Sequence, residues 1–454
     1  MQSESSERKG QFVIIFNHEN PFICKGGTEK YIDKQSQAYR TKGVDVMVLF
    51  PLDLRAILGI PFIHGWGVVE NNRFIGIESV KKINDIIKRY RERKTCVGVH
   101  IHNIIDLDIE ELYSFVAFRQ TITLYIHDYS TCCKQINLRK NREEYCGDSR
   151  LYDEKCSDCR FYDKAKKLHK EISSFFARIP KLIVVAPSET AALLWSDSYP
   201  QYKENIEIIP HLIPEGIWKD PKGLIEKQQD IRIAFVGGAV ALKGWMIFET
   251  AIQVLLQEHK MDGLKFFYLG QSDITENGIT KIRVSAHENG DFAMIDALRN
   301  NNIDVVVLFS TVPETYSYTY YESLAAHCFI VANENSGNIA FEVKKKENGI
   351  VLANNVKALV ELFQDVNALR DAVNGFRTKH QDAPLNYKNN IQITIEKEEG
   401  EPVSIEHIKS SSISAFNAEI AYRIRYSSLV TAIFPIYNAP KELFYQIIKK
   451  AIHK

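Results

Sequence analysis

Residues 304–322 read DVVVLFSTVPETYSYTYYE, and this stretch decides the fold expected for the chain. The apolar run at its start is typical of a strand buried on both faces of a parallel sheet. The residues that follow predict a loop that opens into a helix. Open α/β sheets bind ligands at the carboxyl ends of their strands. We therefore expect Glu314, in the loop, and Glu322, in the helix, to face one cleft.

The start of this predicted helix lies between the two glutamates. A helix N-terminus presents backbone N–H groups and the positive end of the helix dipole, which suits a phosphate. Carboxylates on either side of a phosphate site suit a ligand that carries hydroxyl groups on both sides of a diphosphate. A nucleotide sugar has that layout.

Glu314 and Glu322 resemble the E-x7-E motif of retaining glycosyltransferases, and the chain is similar to members of glycosyltransferase family 4. The resemblance implies the GT-B fold, an α/β architecture of two doubly wound, Rossmann-like parallel-sheet domains that face a cleft. It implies that Glu314 binds the transferred sugar and Glu322 the ribose hydroxyls of the donor. Tyr318 and Thr319, at the helix start, are predicted to bind the same donor.

Size and composition restrict the alternatives. A chain of 454 residues predicts two or three domains, and 45% hydrophobic with 25% charged residues is typical of a soluble globular protein. The formal net charge of zero argues against nucleic acid as a partner. The sequence has no apolar run long enough to span a bilayer, and residues 1–10 lack the apolar core of a signal peptide. These features predict a cytoplasmic protein.

Strand-like and helical patterns alternate along the chain and predict two doubly wound domains. A linker is expected at residues 211–216, because Pro214 and Gly216 break both periodicities. The predicted strands are 12–16, 44–50, 97–101, 122–126, 182–186, 206–210, 231–236, 264–269, 304–309, 329–332 and 349–352. The first predicted domain, residues 1–212, binds the acceptor, and the second, residues 213–425, binds the donor. The second domain is expected to contain a polar insertion at 382–412, with a strand at 391–395. A helix at 426–454 is expected to return to the first domain.

Two glycine loops follow predicted strands and precede helices. Gly26 and Gly27 would let the backbone approach a ligand in the first domain. In the second domain, Gly237 and Gly238 open a segment that ends in Lys243-Gly244. Neither loop has the G-x-G-x-x-G fingerprint, which argues against a nucleotide-sugar epimerase or dehydrogenase. By resemblance, Lys243 matches the lysine that neutralises the donor diphosphate, whereas Gly238 stands where the family usually has arginine.

Histidines end two strands of the first domain. A histidine at the carboxyl end of a strand is placed for hydrogen bonding to a sugar or for proton transfer near neutral pH. His127 matches the family histidine that faces the transferred sugar, and His102 resembles a position near the acceptor. His100 is expected to be a core residue, because strand alternation points it away from His102. The role of Asp128 stays open.

Five cysteines lie within residues 132–159. Cys156 and Cys159 form a C-x2-C pair of the kind that binds tetrahedral zinc, and Cys132 and Cys146 are the predicted partners. The alternative is a set of free thiols. No catalytic metal is expected: Asp106-Leu107-Asp108 is the literal Asp-x-Asp match, and it is predicted to be surface.

The sequence thus predicts a retaining, metal-independent glycosyltransferase that needs no cofactor. The expected donor is a nucleotide diphosphate sugar. The acceptor is a glycan, a lipid-linked saccharide or another acceptor of surface polysaccharide or glycoconjugate synthesis, bound near Gly26, Gly27 and His127. The alternative is a catalytically silent GT-B scaffold, which Gly238 supports. Basic helical patterns at 81–91 and 164–170 indicate either peripheral contact with the inner face of the plasma membrane or ordinary solvated faces.

Overall fold

The computed structural model describes residues 10–24, 26–53, 64–105, 107–147, 156–219, 221–274 and 276–396. Asp106, the predicted helix at 426–454 and most of the predicted polar insertion lie outside the described residues. The chain divides into two compact units. The described residues of the first unit fall within 10–131, 169–185 and 391–396, and those of the second within 132–168 and 186–390.

The first unit is built on a twisted sheet whose strands lie in the order β9-β6-β5-β1-β2-β3-β4. The strands from β9 to β2 are parallel, and β3 and β4 extend the sheet as an antiparallel hairpin. The core of β1, residues 12–16, is fully buried, as expected for a strand covered on both faces. The strands are β1 (Gly10–Phe16), β2 (Val44–Asp53), β3 (His64–Glu70), β4 (Arg73–Glu78), β5 (Lys94–Ile101), β6 (Thr121–Tyr125) and β9 (Lys181–Ala186). The helices are α1 (Gly27–Thr41), α2 (Val80–Arg93), α3 (Ile109–Val116) and α4 (Tyr162–Ala177), the last shared with the second unit.

The second unit is built on a six-stranded parallel sheet in the order β14-β13-β12-β15-β16-β17. Neighbouring residues of its central strands belong to different hydrophobic clusters. Phe235 and Val307 pack in one cluster, and Ala234 and Val306 pack in the other, so both faces of the sheet are covered. The strands are β12 (Ile231–Val236), β13 (Leu264–Gly270), β14 (Ile279–Arg283), β15 (Val305–Leu308), β16 (Phe329–Asn333) and β17 (Gly349–Leu352). The helices are α5 (Glu189–Ser198), α6 (Trp245–Gln257), α7 (Ala286–Asn289), α8 (Ala293–Asn300), α9 (Tyr318–Ala325), α10 (Asn338–Lys346), α11 (Val356–Gln364) and α12 (Val366–Lys379).

The structure corrects two predicted segments. Residues expected to form an irregular linker belong to strand β11 (Leu212–Lys219), which pairs antiparallel with β18 (Asp382–Asn389). An isolated two-stranded ribbon tolerates Pro214 because its strands have free edges. The strand predicted at 391–395 is wrong, since the backbone there bonds to side chains: Gln392 N donates to Tyr31 Oη at 3.2 Å and Thr394 N to Tyr39 Oη at 3.0 Å.

Three short strands are also present. Strand β10 (Ile206–Ile208) falls within the strand predicted at 206–210, and β7 (Arg139–Lys140) pairs with β8 (Glu144–Tyr145) as a small hairpin. None of the helices in the described ranges is both long and apolar enough to cross a bilayer.

Candidate active site

The site of the second unit lies where the strand order reverses. Along the chain, β12, β13 and β14 extend the sheet in one direction, and β15, β16 and β17 extend it in the other. The loops after β12 and β15 therefore separate at a topological switch point, where doubly wound sheets form a ligand-binding crevice. The first loop ends at Lys243 and the second contains Glu314.

A lysine, a glutamate and a serine from these two loops meet at one carboxylate oxygen. Glu314 Oε1 lies 2.6 Å from Lys243 Nζ and 2.7 Å from Ser310 Oγ. The Glu314 side chain is 13% exposed, whereas that of Lys243 is 49% exposed. The mostly buried carboxylate is thus fixed by its contacts with Ser310 and Lys243, while the half-exposed ammonium of Lys243 remains accessible to an anion from solvent.

The backbone of Glu314 is also fixed, by the loop before α10. Glu314 O accepts a hydrogen bond from Asn338 N at 3.0 Å, and Glu314 forms a parallel bridge with Gly337. Gly337 has φ +60°, and a Cβ there would lie 2.7 Å from Glu314 N. Only glycine fits such a position. The loop 336–339 is therefore in direct contact with Glu314.

The position of Lys243 is fixed by close backbone contacts between residues 242–244 and the segment that follows β15. Residues 241–243 form a 3-10 turn, and Leu242 O accepts a hydrogen bond from Thr311 N at 2.9 Å. Gly244 then adopts the left-handed conformation (φ +84°), where a Cβ would lie 2.1 Å from Phe309 O. The backbone geometry thus explains why glycine follows the lysine: Gly244 packs against the end of β15, and this packing places Lys243 beside Glu314.

The start of α9 lies beside the glycine loop. A Cβ on Gly237 would be 3.8 Å from Thr319 Cγ2. Ser317 caps the helix, with its Oγ accepting from Tyr320 N at 3.3 Å and lying 3.0 Å from Thr319 Oγ1. Tyr318 and Thr319 are the first two residues of the helix and are half-buried. Glu322, also half-buried, follows on the same helix, one turn after Tyr318.

Gly238 sits in the open part of this loop. It is exposed, and a Cβ added there would meet nothing within 4 Å. The position can therefore accept a larger side chain, even though this chain has none there.

In the first unit, His127 ends a chain of hydrogen bonds through His102 and Gln35. His102 Nδ1 lies 2.8 Å from His127 Nε2, and His102 Nε2 lies 3.0 Å from Gln35 Oε1. Gln35 Nε2 donates to the carbonyl oxygen of Gln392 at 2.9 Å. A carbonyl can only accept, so the orientation of the Gln35 amide is fixed.

The orientation of Gln35 sets both histidine tautomers. Gln35 Oε1 must accept, so His102 carries a proton on Nε2. When His102 Nδ1 then accepts, His127 donates to it from Nε2. Burial lowers the pKa of His127 to about 3, so the ring is neutral near pH 7. The bond to His102 therefore fixes the orientation and the tautomer of a neutral His127 ring.

We expect NMR to detect this tautomer directly. In long-range ¹H–¹⁵N spectra, His127 should be the Nε2–H form and should not titrate between pH 7 and 4. Because its native pKa is depressed, the unfolded state takes up the proton first, and the free energy of unfolding should fall as pH drops from about 6.5 towards 3. Gln35→Met should mix the tautomers of His127 and leave buried His100, bonded to Tyr39 Oη at 2.7 Å, unchanged. Titration of wild-type His127 near its ordinary pKa would contradict the assignment.

The predicted glycine loop of the first unit opens α1. Gly27 is the first helical residue and Gly26 is its N-cap. Next to it, His18, Glu19 and Glu29 each offer a ligand atom within 4.8 Å of the others, so this group could hold a cation. Glu29 is buried, and this burial raises its carboxyl pKa above the ordinary value.

Gln35 is the residue that sequence reasoning missed. It lies on the buried face of α1 with Ile32, Ser36 and Tyr39. A glutamine in an otherwise inward-facing stripe was the available signal, since a buried amide needs partners. Asp128, left open above, accepts from Asn103 Nδ2 at 2.6 Å and from Ser130 N at 2.7 Å, so it orders its own loop.

Two further groups of predicted residues have been located. Asp108 is exposed and caps α3 by accepting from Glu110 N and Glu111 N, which agrees with its prediction as a surface residue. Of the predicted zinc ligands, Cys146, Cys156 and Cys159 are half-buried and Cys132 is fully buried.

The second unit also has a cavity of about 620 Å³ between α9, α10 and the β11–β18 ribbon. Its lining combines apolar residues such as Tyr321 and Leu324 with charged ones such as Glu342 and Lys346, but it includes none of Lys243, Glu314 and Glu322. The predicted donor residues therefore lie at the switch point and not in this cavity.

Comparison with known proteins identifies the fold. No protein-family model matches the chain, and no curated protein matches it either. A sucrose-phosphate synthase from Thermosynechococcus elongatus superposes with a TM-score of 0.51 at 12% identity, over 82% of this chain and 93% of that one. A glycosyltransferase from Rickettsia africae gives 0.49 at 13% identity (82% and 92%), and Anabaena HepE in complex with UDP-glucose gives 0.47 at 11% (80% and 92%).

The first of these likenesses is strong enough to carry a structural conclusion. Together with the two doubly wound parallel sheets, it shows that the chain has the GT-B fold. The predicted fold class is thereby confirmed.

Proposed function

We propose that this chain is a glycosyltransferase that uses a nucleotide diphosphate sugar as donor. The observation that carries the proposal is the meeting of Lys243, Glu314 and Ser310 at the switch point of the second sheet, next to the start of α9. A cation, a fixed carboxylate and a helix N-terminus in one place fit a diphosphate attached to a hydroxyl-rich group. The GT-B fold and the similarity to a sucrose-phosphate synthase support the same class of enzyme.

The donor would replace one ion pair by another. Lys243 Nζ pairs with Glu314, and its half-exposed ammonium would turn towards an incoming diphosphate. Negative charge grows on the diphosphate as the sugar–oxygen bond breaks, so a nearby ammonium stabilises the transition state more than the ground state. Glu314 then accepts hydrogen bonds from sugar hydroxyls.

The remaining donor contacts would come from the glycine loop after β12 and from α9. Gly237, Tyr318 and Thr319 would surround the diphosphate with backbone N–H groups and a hydroxyl. Glu322, further along α9, would accept from the ribose hydroxyls. No step requires a metal ion, because Lys243 and the α9 dipole supply the positive potential.

The first unit would supply the acceptor side. Gly26 and Gly27 open α1, which follows β1 along the chain, and His127 would face the transferred sugar. The finer parts of the proposal are family 4 membership, transfer with retention by attack on the face that the diphosphate leaves, and a saccharide or lipid-linked acceptor. The exposed basic residues of α2, such as Lys81 and Lys88, would bring the protein to an anionic membrane.

A catalytically silent scaffold remains the second candidate, because Gly238 leaves the diphosphate one cation short of the family pattern. The two candidates differ in donor binding. An enzyme is stabilised by its donor through mass action, whereas a silent module is not.

A donor screen separates them. Wild-type protein is incubated with UDP, GDP, ADP, TDP and CMP sugars, and melting temperature and nucleotide release are followed. We expect one donor to raise the melting temperature and to be turned over. Gly238→Arg fits the open space at that position and should strengthen binding of the same donor, since it adds a second charge to the diphosphate site. If no donor shifts either protein, the enzyme proposal fails and the scaffold remains.

A further inference from the structure

A histidine and two glutamates meet at the start of α1, in a group that the proposed function does not use. His18 and Glu19 lie just after β1, and Glu29 is the third residue of α1. Each offers one ligand atom, and these three atoms lie within 4.8 Å of one another. Ligand atoms that share a metal ion at about 2.0–2.2 Å are about 3–4.4 Å apart. Small side-chain rotations would therefore bring all three to one ion.

Asn17 fixes the orientation of the His18 ring. Asn17 is fully buried, and its Nδ2 donates to Glu19 O at 3.0 Å. A carbonyl can only accept, so the other end of the amide, Oδ1, faces His18 Nδ1 at 3.3 Å and accepts a hydrogen bond from it. A neutral ring then keeps its lone pair on Nε2, which lies 3.5 Å from Glu19 Oε1. Histidines that bind metals are oriented in this way, because they donate the other ring N–H to an oxygen acceptor.

The carboxylate of Glu29 is buried with little to balance its charge. The residue is 7% exposed. Asn17 Nδ2 lies 3.5 Å from Glu29 Oε1, at the limit for a hydrogen bond, and no lysine or arginine in the described part of the chain forms an ion pair with this carboxylate. Buried charges in proteins are paired or coordinate metal ions, because an isolated one is costly. A cation held together with His18 and Glu19 would supply that balance.

Gly26 leaves the room that this carboxylate occupies. A Cβ at position 26 would lie 2.3 Å from Glu29 Oε2. The φ angle of Gly26 is −153°, which is extended backbone that other residues also adopt. The glycine therefore serves the close approach of the Glu29 carboxylate, and not an unusual backbone conformation.

We propose that His18, Glu19 and Glu29 bind one divalent transition-metal cation, such as Mn²⁺ or Zn²⁺, at the start of α1. One imidazole nitrogen and two carboxylates suit these metals, whereas Mg²⁺ and Ca²⁺ prefer oxygen ligands alone. Three protein ligands leave coordination positions for water or for an oxygen atom of a bound ligand. The cation would balance the charge of Glu29 and fasten the loop after β1 to α1. The group belongs to the first unit, whereas the donor contacts proposed for Lys243 and Glu314 belong to the second.

Manganese binding tests the site without reference to activity. Mn²⁺ is the probe because the cysteine thiolates of the chain select softer metals. The full chain is produced without a metal-binding tag, freed of metal by chelation, and titrated with Mn²⁺ while the EPR signal of the free ion is followed. We expect about one bound Mn²⁺ per chain.

Variants identify the ligands. Glu29→Gln keeps the shape of the side chain and removes its charge, and His18→Gln removes the imidazole. Each should weaken Mn²⁺ binding by more than the about 10- to 100-fold that the loss of an outer-shell contact costs. The matched control is Glu342→Gln, since the Glu342 side chain is 14% exposed and pairs with Lys346 at 2.6 Å. This variant should bind Mn²⁺ as the wild type does, and equal weakening in Glu29→Gln and Glu342→Gln would overturn the proposal.

Pulsed EPR of the wild-type complex gives a measurement that does not depend on the folding of any variant. The bound Mn²⁺ should show coupling to an imidazole nitrogen, because His18 Nε2 is a proposed ligand. Bound Mn²⁺ without this coupling would mean adventitious binding to surface carboxylates. No binding at millimolar Mn²⁺ would leave His18 and Glu19 as a simple ion pair. Either result overturns the proposal, and neither depends on donor binding.

Discussion

Lys243→Met should reduce kcat for sugar transfer by about 100- to 1,000-fold, the usual effect of removing one preorganised group that stabilises transition-state charge. Lys243 Nζ lies 2.6 Å from Glu314, so its ammonium is already at the site where the diphosphate would leave. Methionine keeps most of the side-chain volume and removes the charge. The effect should appear in kcat with the donor identified by screening, because the charge matters most as the sugar–oxygen bond breaks.

A matched lysine controls for the loss of a surface ion pair. Lys345 Nζ pairs with Glu189 at 2.5 Å, and its side chain is 52% exposed against 49% for Lys243. Lys345→Met should leave kcat unchanged, since exposed pairs contribute little to stability. Glu314→Gln, which retains the shape of the side chain, should also lower kcat. Equal activity of Lys243→Met and Lys345→Met would exclude Lys243 from the reaction.

The sheet strands were the most predictable part of the fold. Every strand predicted before residue 360 exists, because near-continuous apolar runs such as residues 305–308 can be satisfied only by burial on both faces. The same logic placed Lys243 and Glu314 at strand ends. It did not predict that they meet, because their 2.6 Å contact depends on how Gly244 packs on Phe309, a detail of backbone geometry.

The missed strands include the local hairpin β3–β4 and the edge strand β14. Strands β11 and β18 were missed for another reason: they pair with each other from distant parts of the sequence, and their patterns are broken by Pro214 and Pro384. Gln35 acquires its role from a carbonyl 357 positions away, at Gln392.

Gly244→Ala should lower the free energy of unfolding of the second unit by about 2–6 kcal/mol. A non-glycine residue held in an unfavourable backbone conformation costs about 1–3 kcal/mol, and overpacking costs a similar amount. Both apply here, because φ is +84° and the new Cβ would lie 2.1 Å from Phe309 O, a backbone atom at the end of a central strand. Either the loop that carries Lys243 or the end of β15 must move. Urea unfolding or calorimetry measures the loss.

Substitutions at two other glycines separate the cost of the backbone conformation from the cost of overpacking. Gly43 has a positive φ (+75°) but open space around its Cβ position, so Gly43→Ala should show the backbone cost alone. Gly223 has open space and an ordinary φ, and Gly223→Ala should be close to neutral or slightly stabilising. The expected order of destabilisation is Gly244 above Gly43 above Gly223. If Gly244→Ala were no worse than Gly43→Ala, then the loop would yield without strain. The contact with Phe309 could not then be what holds Lys243 beside Glu314.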